Sequence, residues 1–201
     1  MRTLPLLAAA VGALICASAP AKAAVNIVQN PGFENTNPAN GVIADWTSAP
    51  YATSWFGTSG LGGGNPTPPP GGGSYFASTG CDTSPCDLSQ TLTTTAGTKY
   101  SLSFLFNPGQ GAVLSNAETK VFWDGTQVAD IVGGLKAWKS YTISGLVGAG
   151  SDTLTFEGLH EVAWNGVDNV FVGAPGPVPG AGVEGLAALT LAAFCVRLRH
   201  A

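Results

Sequence analysis

The sequence has 201 residues, of which 45% are hydrophobic and only 10% are charged, and it contains 28 glycines and 14 prolines. Such a chain is too apolar for an intrinsically disordered protein and too rich in glycine and proline for a helical bundle. The formal net charge is -4, and no lysine and arginine cluster lies between the two chain ends, so the basic surface that nucleic-acid binding requires is missing.

The first 23 residues have the features of a secretory signal peptide. Arg2 precedes an apolar stretch at residues 4–17, and the segment ends with the small-x-small sequence Ala-Lys-Ala at residues 21–23. The apolar stretch is shorter than the roughly 20 residues that span a bilayer. We therefore expect residues 1–23 to be removed during export and the mature protein to begin at Ala24.

The body of the chain, residues 24–174, has the length of one domain. It carries four lysines against eleven acidic residues, a formal charge of -7, and such an acidic body attracts cations. Within it, residues 57–73 consist almost entirely of glycine, proline and small polar residues. We expect this segment to be a mobile surface loop, and we favour a spacer over a binding lid because it lacks polar side chains that orient a ligand.

Two cysteines lie in the body, in the sequence Cys81-Asp-Thr-Ser-Pro-Cys86. An even pair in an exported protein predicts a disulfide bond. A zinc site would need two further ligands, and His160 is the single histidine of the body.

Hydrophobic residues alternate with polar ones along most of the body. Tyr100, Leu102, Phe104 and Phe106 fall on one face of a predicted strand at residues 99–106. Similar patterns predict strands at residues 25–29, 74–78, 88–93, 119–123, 127–132, 138–143, 153–156 and 169–172. Asp124-Gly125 predicts a two-residue hairpin turn. The sequence thus predicts an all-β fold, a two-sheet sandwich of the jelly-roll type.

The last segment, residues 175–201, has three parts. Proline and glycine at residues 175–182 precede an apolar run at residues 183–196, which predicts a short helix, and the chain ends with a basic cluster at residues 197–200. This order is typical of a membrane stop-transfer segment whose basic end stays inside. The run carries Glu184 and is short for a full span, so an ordinary surface helix is the alternative.

This tail resembles the PEP-CTERM class of bacterial sorting signals, with Val-Pro-Gly-Ala-Gly at residues 178–182 in place of the usual Val-Pro-Glu-Pro. The resemblance implies processing by an exosortase-type membrane enzyme and a location at the cell envelope or surface, in organisms that export polysaccharide.

The body resembles the galactose-binding-like β-sandwich of many carbohydrate-binding modules and exported PEP-CTERM proteins. The resemblance rests on an ordered set of motifs: Asn-Ile-Val-Gln-Asn-Pro-Gly-Phe-Glu at residues 26–34, Asp-Trp at 45–46, Leu-Ser-Gln-Thr-Leu at 88–92, Tyr-Ser-Leu-Ser-Phe at 100–104 and Trp-Asn-Gly-Val-Asp-Asn-Val at 164–170. In that family a structural calcium often ties the first strand to the last, and the matching residues here are Glu34 and Asp168. The alternative is that both carboxylates accept backbone hydrogen bonds or cap turns.

Sugar-binding sites use aromatic faces that stack on pyranose rings. Trp46, Trp123, Trp138 and Trp164 fit packing roles better, because two of them lie in predicted strands and two in the family motifs. Tyr51, Trp55 and Tyr75 flank the glycine and proline segment and are the candidate platform, with a core role for each as the alternative.

Catalysis has little support in the sequence. His160 lacks a nucleophile context, and Glu157, Glu161 and Asp130 are more readily solvated carboxylates than a glycosidase pair. We therefore expect a non-catalytic, envelope-associated module that binds extracellular or cell-surface polysaccharide. The alternatives are a structural or adhesive surface protein without a small ligand and, third, a carbohydrate-active hydrolase.

Overall fold

The computed structural model describes residues 23–37, 42–49, 67–79, 81, 84–109, 117–134, 137–160 and 165–175. Residues 1–22 of the predicted signal peptide, the C-terminal segment from residue 176 onward, Tyr51, Trp55, Glu161 and Trp164 therefore lie outside the described residues. In the described ranges, no helix is long and apolar enough to cross a membrane. A compact unit extends from Ala24 to Pro175 and contains every strand described below.

Eleven strands are described, and all of their pairings are antiparallel. Their bounds are β1 (Thr36–Asn37), β2 (Val42–Ile43), β3 (Thr47–Ala49), β4 (Ala77–Ser78), β5 (Cys86–Thr93), β6 (Lys99–Asn107), β7 (Glu118–Trp123), β8 (Thr126–Val132), β9 (Lys139–Val147), β10 (Ser151–Leu159) and β11 (Gly166–Gly173).

The strands form two main sheets and one small hairpin. The five-stranded sheet has the order β3-β5-β10-β7-β8, the four-stranded sheet has the order β4-β11-β6-β9, and β1 pairs with β2. Phe104 on β6 contacts Phe156 on β10 with 5.0 Å between ring centroids, and Tyr100 stacks on Trp123 of β7 at 6.4 Å. The two sheets therefore face each other across a shared hydrophobic core, and the predicted all-β sandwich is confirmed.

The alternation in the sequence correctly predicts which side chains of β6 face the core. Tyr100, Leu102, Phe104 and Phe106 are all buried, as the period of two requires. Asp124 and Gly125 connect β7 to β8 with φ angles of 49° and 72°, the left-handed values of a type I′ hairpin turn.

The predicted strand at residues 25–29 is wrong. The segment lies beside β11, where the N–H of Ile27 donates to the carbonyl of Val172, but the Asn26 side chain provides the other contacts. Its Nδ2 donates to the carbonyl of Val170 at 3.0 Å and its Oδ1 accepts from the N–H of Val172 at 2.9 Å. An asparagine side chain that bonds backbone groups in this way replaces the strand ladder.

Candidate functional site

The two carboxylates predicted to share a calcium ion lie close together. Glu34 follows Phe33, whose φ of 58° is unusual for a bulky residue, and Asp168 lies on β11. The pairing of β11 with β6 shifts register between Asp168 and Phe171, where Asn169 has a φ of 50°. This bulge lets Asp168 be fully buried beside the start of the folded unit.

Glu34 anchors the end of the glycine and proline segment. Its Oε1 accepts hydrogen bonds from the N–H groups of Ser74 and Tyr75 at 2.9 and 2.8 Å, and its Oε2 lies 3.1 Å from the same Ser74 nitrogen. A Cβ atom on Gly72 would lie 2.5 Å from Oδ2 of Asp168. The segment therefore approaches both carboxylates closely because residues 72 and 73 have no side chains.

The described part of the glycine and proline segment makes specific contacts with the folded unit. Pro69 and Gly72 are buried, and the carbonyl oxygen of Thr67 accepts a hydrogen bond from the Trp138 indole. Residues 67–73 thus contact the folded unit through backbone carbonyls and glycines, which a shortage of polar side chains does not preclude, and the choice between a spacer and a binding lid stays a prediction. Residues 57–66 lie outside the described residues.

The two carboxylate oxygens of Asp168 have different surroundings. Its Oδ1 accepts the N–H of Asn169 at 2.6 Å, whereas its buried Oδ2 has no hydrogen-bond partner. Burial raises the pKa of Asp168 to about 7, the negative charge of Glu34 adds to that increase, and the Asn169 hydrogen bond opposes it. An unpartnered buried oxygen beside a second carboxylate fits a bound cation in place of the proton.

The donor set limits which cation fits. Among the described residues, no group of three or more histidine, cysteine, aspartate and glutamate side chains could hold a metal ion. Calcium takes six to eight oxygen ligands and accepts backbone carbonyls and water, whereas zinc sites need nitrogen or sulfur side chains. Glu34 and Asp168 would supply carboxylate oxygens of the kind that calcium prefers, but only part of its ligand set, so calcium binding here stays a prediction. Both also accept backbone hydrogen bonds, which is the alternative role.

An aromatic cavity of about 310 Å³ lies at one end of the four-stranded sheet. It lies where β8 leads into β9, and its described lining is Phe106, Pro108, Gly133, Gly134, Ala137, Trp138, Lys139 and Tyr141. The lining is predominantly apolar, with one charged side chain. This volume is at the lower end of the range typical of small-ligand sites.

The aromatic walls of the cavity are held in place by specific contacts. The Nε1–H of Trp138 donates to the carbonyl of Thr67 at 2.6 Å, and the edge of its ring packs against Phe76 with 5.4 Å between centroids. Tyr141 stacks on Phe104 at 5.7 Å, and Nζ of Lys139 lies 5.1 Å from the Tyr141 ring centroid. Such fixed rings lose little side-chain entropy when a ligand binds.

The tryptophans divide between packing and the cavity. Trp46 and Trp123 are buried in the core, as expected. Trp138, for which we also expected a packing role, is half-buried at the cavity wall. It directly precedes β9, which is an edge strand of the four-stranded sheet. Alternation in the sequence does not show which strands lie at a sheet edge. Strand order is a long-range property, so no local signal identifies this cavity.

The predicted aromatic platform stays a prediction. Tyr51 and Trp55 lie outside the described residues. Tyr75 is half-buried and packs against the hydrophobic core, while its backbone N–H donates to Glu34. The cystine predicted at Cys81 and Cys86 is formed.

Glu157 and Asp130, two of the carboxylates considered for hydrolysis, lie on the outer face of the five-stranded sheet. Glu157 is the register partner of Asp87 on β5 and of Lys120 on β7, and Lys120 in turn pairs with Asp130 on β8. Lys120 thus lies between Glu157 and Asp130, and burial raises the pKa of Asp87. The negative charges of Glu157 and Asp130 contribute to the raised pKa of Lys120, which its contact with Glu118 chiefly causes. These acids form a polar row on a sheet face.

Comparisons with known proteins identify the fold. No family model matches the chain, and no curated protein matches it. A family 61 carbohydrate-binding module, TmCBM61, solved in complex with β-1,4-galactotriose, is 18% identical, with 75% of this chain and 99% of that chain covered at a TM-score of 0.52. The CBM22-1 xylan-binding domain of Paenibacillus barcinonensis Xyn10C is 16% identical, with 79% and 100% covered at a TM-score of 0.53. The chain shares the β-sandwich fold of these modules.

Proposed function

We propose that the protein is an exported, non-catalytic module that binds polysaccharide through the cavity lined by Trp138. The observation that carries the proposal is the half-buried Trp138, which a hydrogen bond to Thr67 holds at the wall of an apolar cavity. Lys139 lines the same cavity. Aromatic walls with a few polar groups are the usual chemistry of sugar recognition. The shared fold with a galactotriose-binding and a xylan-binding module supports this choice.

The proposed site differs from the platform predicted from the sequence. Trp138 and Tyr141 replace Tyr51 and Trp55 as the favoured binding residues, because both line the cavity and Trp138 is held in place by its hydrogen bond to Thr67. A structural or adhesive role without a small ligand is the competing function. A hydrolase would need two carboxylates at a substrate cleft, and the described acids on the outer sheet face do not flank the cavity.

We propose further that calcium binds at Glu34 and Asp168 and has a structural role. When bound, the ion would neutralise the two carboxylates and satisfy the buried Oδ2 of Asp168. Glu34 already joins the opening of the unit to residues 74 and 75, and Asp168 belongs to the last strand. The site therefore supports the connection of three distant segments.

The remaining parts of the proposal concern location. Residues 1–23 act as the signal peptide, and residues 175–201 act as a PEP-CTERM-type tail that an exosortase-type enzyme processes and that holds the protein, transiently or stably, at the envelope membrane. The order of a Pro/Gly stretch, an apolar run and a terminal basic cluster supports this proposal. Mass spectrometry of the protein from its host would identify both mature ends.

A glycan-array screen of the full chain, expressed in an exporting host, tests the binding proposal. We expect selective binding that Trp138→Ala weakens by more than about tenfold, the effect of losing one stacked ring. Trp55→Ala is the matched control, because it removes the same side chain from the platform predicted by sequence. The opposite pattern, with loss only in Trp55→Ala, would move the site to residues 51–75.

Folding is checked separately in each variant. Trp138→Phe keeps an aromatic ring but removes the bond to Thr67, so it distinguishes loss of stacking from loss of loop anchoring. If wild-type protein with a cooperative thermal transition binds no glycan, with or without calcium, polysaccharide binding is excluded and the structural surface role takes its place.

A further inference from the structure

Charge is distributed unequally between the two sheets. The strands of the five-stranded sheet carry five acidic residues and one lysine, namely Asp87, Glu118, Asp130, Asp152, Glu157 and Lys120. The strands of the four-stranded sheet carry two lysines, Lys99 and Lys139, and a single acid, Asp168, which is fully buried. An anionic ligand therefore meets less repulsion at the four-stranded sheet than at the opposite one.

The residues described at the cavity wall all come from stretches of the chain without acidic residues. Its walls include Phe106 from β6 and Tyr141 from β9, both in the four-stranded sheet. Phe106 and Pro108 lie in residues 88–117 and the other lining residues in residues 131–151, and neither stretch contains an aspartate or a glutamate. Residues 131–151 also include two of the four lysines of the body. The β8–β9 connection and all of β9 therefore contribute no carboxylate to the surroundings of the cavity.

Lys139 is the one charged residue among the described residues of the cavity wall. It is the register partner of Phe106, so it is fixed at the cavity by the β6–β9 pairing. Its Nζ lies 5.1 Å from the centroid of the Tyr141 ring, and within the described ranges no carboxylate lies within 4.0 Å of it. The ammonium group is thus positioned by an aromatic ring and not neutralised by a described acid.

From these observations we propose that the cavity recognises a sugar residue bearing a carboxylate or a sulfate group. The pyranose ring packs against Trp138, and the anionic group pairs with the Lys139 ammonium. Tyr141, which is already stacked on Phe104, positions Lys139. The inference deepens the proposed function and rests on it, since it assigns a ligand class to the same cavity.

Pairs of glycans that differ only in their anionic group test whether the protein recognises the charge of the ligand. Oligogalacturonate and its fully methyl-esterified form differ in the carboxylate, and a sulfated galactan and its desulfated form differ in the sulfate. We expect the full chain to bind the charged member of at least one pair about tenfold more tightly, the effect of one charge-assisted hydrogen bond. Which pair shows the preference distinguishes carboxylate from sulfate.

Variants of the two lysines test the assigned residue. Lys139→Gln should reduce the preference for the charged member to less than about twofold, and Lys139→Arg should retain most of it. Lys99→Gln is the control, because it removes the same charge from the same sheet at the opposite end of β6, about 24 Å away at roughly 3.4 Å per residue. It should leave the preference unchanged.

Each remaining outcome has a defined meaning. Equal binding of charged and neutral members, weakened in both by Trp138→Ala, overturns the inference and leaves the proposed function in place. A preference that chelator abolishes but Lys139→Gln does not affect also overturns it, because the anion would then bind through calcium. No binding of any glycan by folded protein overturns both the inference and the proposed function.

Discussion

A Cβ atom on Gly73 would lie 2.3 Å from Oε1 of Glu34, so the carboxylate occupies the space that any side chain at residue 73 would need. Gly73 also has a φ of 85°, which residues with a side chain rarely adopt. The close approach brings the N–H groups of residues 74 and 75 to Glu34. This contact links the opening of the unit to the end of the glycine and proline segment.

Gly73→Ala should therefore destabilise the protein by about 3 kcal/mol, from overpacking combined with left-handed strain. Gly71→Ala is the matched control, because Gly71 has a similar φ of 77° but no atom lies within 4 Å of the position that its Cβ would take. The control should lose only about 1 kcal/mol. Urea unfolding measures both, and equal losses would contradict the contact with Glu34.

The buried carboxyl of Asp168 predicts an unusual pH dependence of stability in chelator. Its folded pKa of about 7 lies above the ordinary 3.8, so the folded protein retains a proton that the unfolded chain releases. The free energy of unfolding from this group is thus greatest below pH 3.8 and declines as the pH rises through about 7. Thermal unfolding with chelator from about pH 4 to about pH 8 measures the decline.

Asp168→Asn should remove most of the loss of stability that accompanies rising pH in chelator. Asp130→Asn, which changes an exposed acid on β8, should not affect this loss. Calcium should stabilise the wild-type protein more at about pH 8 than at about pH 5, because the ion and the proton compete for the same carboxylate. A calcium effect that is equal at both pH values would argue against Asp168 as a ligand.

The turn between β9 and β10 depends on another buried acid. Asp152 is fully buried and accepts hydrogen bonds from the Thr94 hydroxyl and from the N–H of Ala149. Burial alone would raise the pKa of Asp152, but these hydrogen bonds lower it below its ordinary value. Its stabilising effect is therefore present above pH 3.8 and is lost as the pH falls.

Asp152→Ala should cost about 2 kcal/mol at neutral pH, since it leaves a partly buried hydroxyl and an N–H group without their acceptor. Asp130→Ala, at an exposed position, should change the stability by less than about 0.5 kcal/mol. Chemical denaturation at neutral pH compares the two variants. A loss below about 1 kcal/mol in Asp152→Ala would show that water replaces the carboxylate.

The cystine closes a short loop before β5. The double variant Cys81→Ser, Cys86→Ala should lower the free energy of unfolding by about 2 kcal/mol. The loss is modest because so short a loop restricts the unfolded chain only a little. Reduction of the wild-type protein should produce the same shift in its urea midpoint. A much larger effect in the double variant would indicate that the loop also positions β4 or β5.

Local patterns predict much of the fold, and their failures have physical causes. Alternation in β6 and the Asp124-Gly125 turn depend on neighbouring residues, so both predictions are confirmed. Residues 36–49 form three strands of two or three residues each, too short for a period of two to be recognised. The strand predicted at residues 25–29 is wrong because the Asn26 side chain bonds the backbone of β11. A pattern of hydrophobic residues carries no information about such a hydrogen bond.

The candidate site is predictable only in part. The family resemblance selects Glu34 and Asp168, which the structure brings together from positions 134 residues apart in the chain. The sequence favours packing for Trp138 because its neighbours alternate like those of a core strand. Its exposure follows from the position of β9 at the end of a sheet, and that position depends on pairings with β6 across the whole fold.

The hydrogen bonds between the opening segment and β11 also determine how the unit responds to force. Ile27 pairs with Val172 near the two ends of the unit, and the N–H of Val170 donates to the carbonyl of Pro31 farther inside. The two segments run antiparallel, so the two ends of the unit lie side by side. Tension applied to both ends therefore loads the bond nearest the ends first and the others one after another. Pulling would peel the opening segment away from β11 before the load reached the core, and the Asn26 contacts would be among the first to break.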